Sequence, residues 1–315
     1  MRVFVTGGSG FIGSAVVPEL LSAGHRVLAL ARSDASAKAL KAAGAEVHGG
    51  DLSDEGRLRE GAAASDGVVH LGFIHDFNNF EASVATDRSA IETMGRALEG
   101  SDRPFVFASG TLGVAPGRLA TEDVPFDPAG HPRLANAVAA LGLKERGVRV
   151  SAVRLPPTVH GPGDHGFVKR LVEIAHEKGV SGHVGDGANR WNAVHRLDAA
   201  RLFRLALEKA PAGSILHAVG DEGVPTRTIA EIIGRKLSVP VASISPETAG
   251  THFGWLGRFF AIDQPASSAL TRRRMEWDPT HPGLIEDLEA GHYFEAWGLP
   301  GAPCVPVLGR APGCL

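Results

Sequence analysis

The chain has 315 residues, 43% of them hydrophobic, enough to bury one large core and a smaller lobe, because domains usually run about 100 to 200 residues. Its 32 basic and 35 acidic residues leave a net charge of -3 with no Lys/Arg block to serve as a footprint for a phosphate backbone, so nucleic acid is not an expected partner. No apolar run approaches the roughly 18 residues of a membrane span, and no leader-like segment precedes the first strand; the two cysteines, Cys304 and Cys314, share a Pro/Gly-rich tail, which excludes a disulfide framework and a structural zinc set and fits a reducing cytoplasm.

Short β-branched or apolar runs alternate with amphipathic stretches through the first 155 residues, the rhythm of βαβ units and a parallel sheet. Strands are expected at 2–6, 26–31, 46–48, 68–72, 104–109 and 149–155, with helices between them. Gly44, Gly100 and Gly147 each end a helical stretch, where a left-handed residue costs a glycine least. The predicted fold is a Rossmann-type doubly wound α/β sheet with a small C-terminal lobe. Residues 1–160 form the nucleotide-binding part, 193–220 return to it, 161–192 and 221–297 make the lobe, and 298–315 form an irregular tail. After residue 155, helices are expected near 167–178, 197–209 and 226–237, with a further sheet strand near 215–219.

The opening MRVFVTGGSGFIG sets a strand directly before Gly7, Gly10 and Gly13, and a helical pattern follows. Gly7 permits a tight turn, Gly10 lets main chain approach a diphosphate, Gly13 allows close helix–strand packing, and N–H groups around Phe11 and Ile12 face the anion. A dinucleotide is the expected ligand. An NAD-selective site usually has an acid at the end of the second strand; here Arg32 and Ser33 stand there, which favours the 2'-phosphate of NADP(H), although a solvated arginine is the plainer reading. Asp51 either accepts from the adenine amino group or caps the helix at 53–60, Leu52 lies beside it, and Leu71 and Gly72 end the fourth strand where backbone can pass close to the nucleotide.

With these motifs read, the chain resembles the extended and atypical short-chain dehydrogenase/reductase superfamily, including its epimerase/dehydratase branch. The resemblance rests on TGGSGFIG at 6–13, GDL at 50–52, VVHLG at 68–72, FVFASGTLG at 105–113, RLPPTVHGPG at 154–163 and VHRLDAA at 194–200. It implies a Ser or Thr after the fifth strand and a Tyr-x-x-x-Lys pair on the following helix. The second element is missing: the only tyrosine is Tyr293, and Lys144 has Ala140 four residues before it. Ser109 and Thr111 remain as hydroxyls for a substrate carbonyl, with Thr111 preferred, or as turn-stabilising groups. His160 stands where the resemblance implies a tyrosine, and His160 or His165 becomes a substitute proton donor, with Pro156 bordering the nicotinamide. His195 and Trp191 are candidate substrate contacts, with core packing the alternative. Trp255, Phe259, Phe260 and Trp277 either line an apolar pocket or fill the core. No helical His pair with a supporting acid is visible, so no metal is expected. The expected function is NADP(H)-dependent reduction of a small carbonyl or imine. A non-catalytic NADP(H) sensor and a nucleotide-sugar epimerase or dehydratase are the alternatives. The expected partners are a small-molecule substrate and a second copy packed through the long helices.

Overall fold

The computed structural model describes residues 1–76, 79–129 and 132–297; the expected tail at 298–315 and both cysteines lie outside the described residues. In chain order the elements are β1 (Arg2–Thr6), α1 (Gly13–Ser22), β2 (Arg26–Ala31), α2 (Asp34–Ala42), β3 (Glu46–Gly49), α3 (Glu55–Ala63), β4 (Gly67–His70), α4 (Phe80–Ala97), β5 (Pro104–Gly110), α5 (Pro132–Gly142) and β6 (Arg149–Leu155). They continue with β7 (Thr158–His160), α6 (Phe167–Lys178), β8 (Ser181–Val184), β9 (Arg190–His195), α7 (Arg196–Lys209), β10 (Ser214–His217), β11 (Asp221–Pro225), α8 (Thr226–Leu237) and β12 (Val241–Ile244). Shorter helical segments follow up to residue 297.

Seven parallel strands form the main sheet in the order β10-β6-β5-β4-β1-β2-β3. Period-two alternation explains why such strands read as continuous apolar runs: each strand is buried on both faces, so neighbouring side chains serve opposite cores. Val3 and Val5 face α1 and α7, where Val16, Leu20, Leu202 and Phe203 cover them. Phe4 faces the other way, into a core with Phe105, Phe107, Leu58 of α3, Met94 of α4 and Ala140 of α5. Truncating Phe4 to alanine at such a site costs about 3–5 kcal/mol.

β4 stops at His70, two residues before the expected end. The Leu71 N–H still bonds the Thr6 carbonyl at 3.1 Å as the last rung of the ladder, which ends there because the Gly72 N–H turns to the Thr6 hydroxyl at 3.2 Å. α3 likewise starts at Glu55 rather than 53, because Asp54 caps it by accepting from the Arg57 N–H at 3.1 Å. The lobe has its own core, in which Trp191 is sealed among Phe167, Phe253 and Phe260, and two small sheets, β11-β9-β7 and β12-β8. Trp277 and Phe260 are buried while Trp255 stays exposed, so two of the four lobe aromatics fill core rather than a pocket. Among the described residues, no helix is long and apolar enough to cross a membrane.

Candidate active site at the glycine turn

The chain leaves β1 for β2 and β3 on one side and returns through β4 to the other, so the strand order reverses at the carboxyl end of β1. Ligands of open α/β sheets bind at such a break. The turn there tolerates glycine alone at two positions. Gly7 has φ +71, and a Cβ on it would lie 2.6 Å from the Gly72 nitrogen. A Cβ on Gly13 would lie 2.1 Å from the Gly7 carbonyl oxygen. Main chain therefore packs on main chain, and α1 opens at Gly13 with Ile12 as an N-cap that supplies no side-chain bond. The Ser14 and Ala15 N–H groups turn back to the Gly10 and Ile12 carbonyls, while those of Phe11, Ile12 and Gly13 find no acceptor among the described residues and are left to an anionic ligand. This donor set and steric cradle fit a dinucleotide diphosphate.

Behind the turn runs a buried polar chain that sequence reading missed. The Thr6 hydroxyl accepts from the Gly72 N–H, so its own proton goes to His70 Nδ1 at 2.6 Å, and His70 Nε2 donates to Asp87 at 3.2 Å. The other Asp87 oxygen accepts from Asn136 Nδ2 on α5 at 2.8 Å. Burial raises the Asp87 pKa, but the hydrogen bond from His70, helped by Arg133 and Asn136, outweighs it and holds the carboxyl below its usual range. The chain ties β1, β4, α4 and α5 together beneath the turn. No motif announces it, because its members are 17 to 64 residues apart.

On the β2–β3 side of the break, Arg32 is exposed just past β2, and Ser33 caps α2 by accepting from the Ser36 N–H. Asp34, the first residue of α2, complements the helix dipole. Asp51 takes both the N–H and the hydroxyl of Ser53, at 2.8 and 2.6 Å, and these bonds lower its pKa, with a smaller contribution from Arg32. The capping role that the sequence offered Asp51 falls to Asp54, while Asp51 is held in a local turn by Ser53. Leu52 touches the site of Gly72, where a Cβ would lie 3.0 Å from its methyl group.

Toward the other side, Ser109 sits at the end of β5, and its hydroxyl makes no hydrogen bond to the described residues. Thr111, the preferred hydroxyl from sequence, is corrected by its partners: Oγ1 donates to Asn192 at 2.9 Å and lies 3.4 Å from the Leu155 carbonyl, so it braces β6 against β9. His160 has no exposed surface; its Nδ1 is 2.9 Å from Asp287 and its ring meets His195 edge-on. It faces the lobe interior, which does not suit a proton donor to a substrate in the cleft. Trp191 is likewise core. Pro156 is buried directly after β6. His195 accepts from the Leu197 N–H to cap α7, and burial, with repulsion from His160 and His281, pushes it down to about 4.

His165 is exposed, and its ring meets Phe11 of the glycine turn edge-on at 5.7 Å. Tyr293 holds the loop that carries it, donating to Asp164 at 2.8 Å, while Asp164 accepts from the Gly166 N–H at 2.6 Å. Burial, then Asp164 itself, keeps the phenol protonated well above its ordinary range. The single tyrosine thus reaches the cleft wall from 129 residues away, as a brace and not as the helical acid that the resemblance implied. His75, beyond β4, joins this wall: burial, then the charges of Arg133 and His165, lower its pKa. It was not singled out in sequence because the 73–76 segment has no period.

The donors of His195, Asp198 and His281 lie within 4.8 Å of one another, a compact set that sequence spacing did not reveal. Asp198 already accepts from the N–H groups of Thr280 and His281, each at 3.0 Å, and from Arg201. These bonds fasten the 280–281 turn to α7.

A family model described as the NAD dependent epimerase/dehydratase family matches residues 3–218. The chain belongs to that family. An uncharacterised protein of Schizosaccharomyces pombe is 48% identical over 297 residues, covering 93% of this chain and 100% of its own length. A Dictyostelium discoideum sterol-4-alpha-carboxylate 3-dehydrogenase, decarboxylating, is 29% identical over 72% of this chain and 73% of its own. Among solved structures, a dTDP-glucose 4,6-dehydratase from Streptomyces venezuelae with NAD bound superposes with a TM-score of 0.73 at 22% identity, covering 94% of this chain and 98% of that one. The family and its relatives mark an oxidoreductase- or epimerase-type protein with a nucleotide-binding Rossmann fold.

Proposed function

We propose that this family member is an NADP(H)-dependent reductase of a small carbonyl or imine compound. The glycine turn carries the reading, since Gly7 and Gly13 leave no room for a side chain where main-chain N–H groups face a diphosphate. Arg32, exposed at the end of β2, suits a 2'-phosphate through its planar fork. When bound, NADPH supplies a hydride to the carbonyl carbon. Ser109 donates a hydrogen bond to the carbonyl oxygen, and that oxygen takes its proton from His165 or from water held at the open side of the cleft. The turn holds the nucleotide, the Thr6–His70–Asp87–Asn136 chain fixes α5 against it, and the 161–166 loop covers its outer side.

Titrating the protein with NADPH and NADH and then following nucleotide oxidation across aldehydes, ketones and imines tests the proposal. NADPH is expected to bind more tightly and to be consumed; binding without turnover of any acceptor leaves the sensor reading. One observation favours that second reading: α5 presents Arg133, Asn136, Ala137 and Ala140 to its surroundings and no phenol. Epimerase or dehydratase chemistry on a nucleotide sugar is third, because Tyr293 is engaged with Asp164.

A further inference from the structure

Resting on the nucleotide reading of the glycine turn, we infer that Arg196 is a further cofactor-binding residue, whose guanidinium grips the diphosphate of the dinucleotide. Arg196 is the first residue of α7, and its guanidinium carbon lies 5.2 Å from the centre of the Phe11 ring. The same ring meets His165 edge-on, so the start of α7 and the 161–166 loop both close on the glycine turn through Phe11.

The packing of two helices puts the cation there. α7 and α1 run side by side in the same direction: Arg204 donates to Glu19 at 2.7 Å, and further along both helices Glu208 meets His25 at 3.0 Å. Arg204 and Glu19 are 185 residues apart, and the same offset relates Arg196 to Phe11. Following both helices back from that ion pair by about two turns therefore leads to Arg196 on one and to the opening of α1 on the other. At that opening the Phe11, Ile12 and Gly13 N–H groups find no acceptor among the described residues. Gly161 guides the arginine stem: its φ is +133, and a Cβ on it would lie 3.4 Å from Arg196 Cγ. With the stem against main chain and the head over a ring, less rotamer freedom is lost when an anion arrives.

Arg196 makes no ion pair or hydrogen bond among the described residues, and its Nε is buried. The acids of the adjoining segments are engaged elsewhere. Asp164 is turned toward Tyr293 and the Gly166 N–H, and Asp198 toward the Thr280 and His281 N–H groups and Arg201. A helix N-terminus offers the equivalent of about half an elementary charge, whereas each phosphate of the nucleotide bears a full negative one. The start of α1 therefore leaves most of that charge unbalanced, and a planar fork beside it suits the phosphate oxygens.

A substrate anion is the competing ligand, and strand alternation argues against it. Val106 and Ala108 of β5 pack into the core that α1 and α7 cover, while Phe105 and Phe107 face the opposite core. Ser109 falls in step with Phe105 and Phe107, on the α4–α5 side of the sheet. Arg196 belongs to the α1–α7 side, across the sheet from the hydroxyl that meets the acceptor carbonyl.

Fluorescence titrations of NADPH and NADH test the assignment, because both nucleotides contain the diphosphate and only one carries the 2'-phosphate. Arg196→Met, which keeps a stem against Gly161, should weaken both by a similar factor of about ten or more, as expected for a lost charge-assisted contact. Arg196→Lys should recover part of that loss without the fork. Added salt should weaken NADH binding less in Arg196→Met than in the unaltered protein, since the screened charge is gone. Should Arg196→Met lack a native circular dichroism spectrum, Arg196→Gln carries the same expectations. Unchanged affinities overturn the proposal, and a loss confined to NADPH overturns it by assigning Arg196 to the 2'-phosphate. A loss for both nucleotides with an unaltered salt dependence overturns it by leaving Arg196 a strap on Phe11 alone. Failure of the unaltered protein to bind either nucleotide overturns the nucleotide reading itself, and the same titration shows it before any variant is made.

Discussion

The two walls of the cleft are held by opposite means. The glycine turn at 7–13 is fixed by main chain lying on main chain, with no titratable side chain in the contact. The facing loop at 161–166 is fixed by a phenol, a carboxylate and a main-chain N–H drawn from distant parts of the chain. Behind that loop the imidazoles of His160, His195 and His281 pack together beside Asp287 and Asp198. The first wall is a steric object, insensitive to pH and intolerant of added atoms. The second is an electrostatic object, tolerant of small steric change and sensitive to protons.

Gly13→Ala is the hardest test of the first wall. Its Cβ would meet backbone, which cannot swing aside, so nucleotide affinity should fall by more than about a hundredfold while the circular dichroism spectrum persists. Retained binding would show that the turn is not the diphosphate site.

Acid should instead strike the second wall. The His195 pKa is depressed to about 4 in the folded chain against an ordinary 6.5. The unfolded chain binds more protons between those values, so this contribution is present above pH 6.5 and lost as pH falls toward 4, by at most about 3 kcal/mol. His75, His183, His217 and His252 are lowered in the same sense, each chiefly by burial. Asp164 is raised by burial and acts in the opposite sense, losing stability as pH rises through its folded value from an ordinary 3.8. Because the imidazoles outnumber it, urea midpoints should drop steadily from pH 7 to 4.5, and less steeply in His195→Asn, which keeps an acceptor for the α7 cap.

Smaller effects sharpen the contrast. Arg32→Asp should shift the NADPH-to-NADH affinity ratio by about tenfold toward NADH, since it exchanges a fork for a like charge facing the phosphate; an unchanged ratio removes Arg32 from the site. Tyr293→Phe deletes one hydrogen bond to Asp164 and should cost about 1–2 kcal/mol of stability in urea titrations, with nucleotide affinity unaltered. Equal damage to nucleotide binding would mean that the two walls are one cooperative unit.

Local rules made the first wall readable. Strand and glycine spacing occupy thirteen consecutive residues, an amphipathic helical run follows directly, and the sheet announces itself through alternating buried runs such as Val3-Phe4-Val5. The hydroxyls and histidines after β5 and β6 were visible as residue types, but their roles were not. Thr111 looked better than Ser109 until Asn192, 81 residues on, took its hydroxyl. His160 looked like a donor until Asp287, 127 residues on, took its nitrogen.

By itself, then, the sequence determined a parallel α/β sheet and a phosphate-ready turn, because both depend on periodicity and on steric limits that act between near neighbours. Only the tertiary structure decided which polar groups face the cleft and which are spent holding it together. A hydrogen bond is settled by which partner arrives, and partners for Thr6, Asp87, Thr111, His160 and Tyr293 arrive from 49 to 129 residues away.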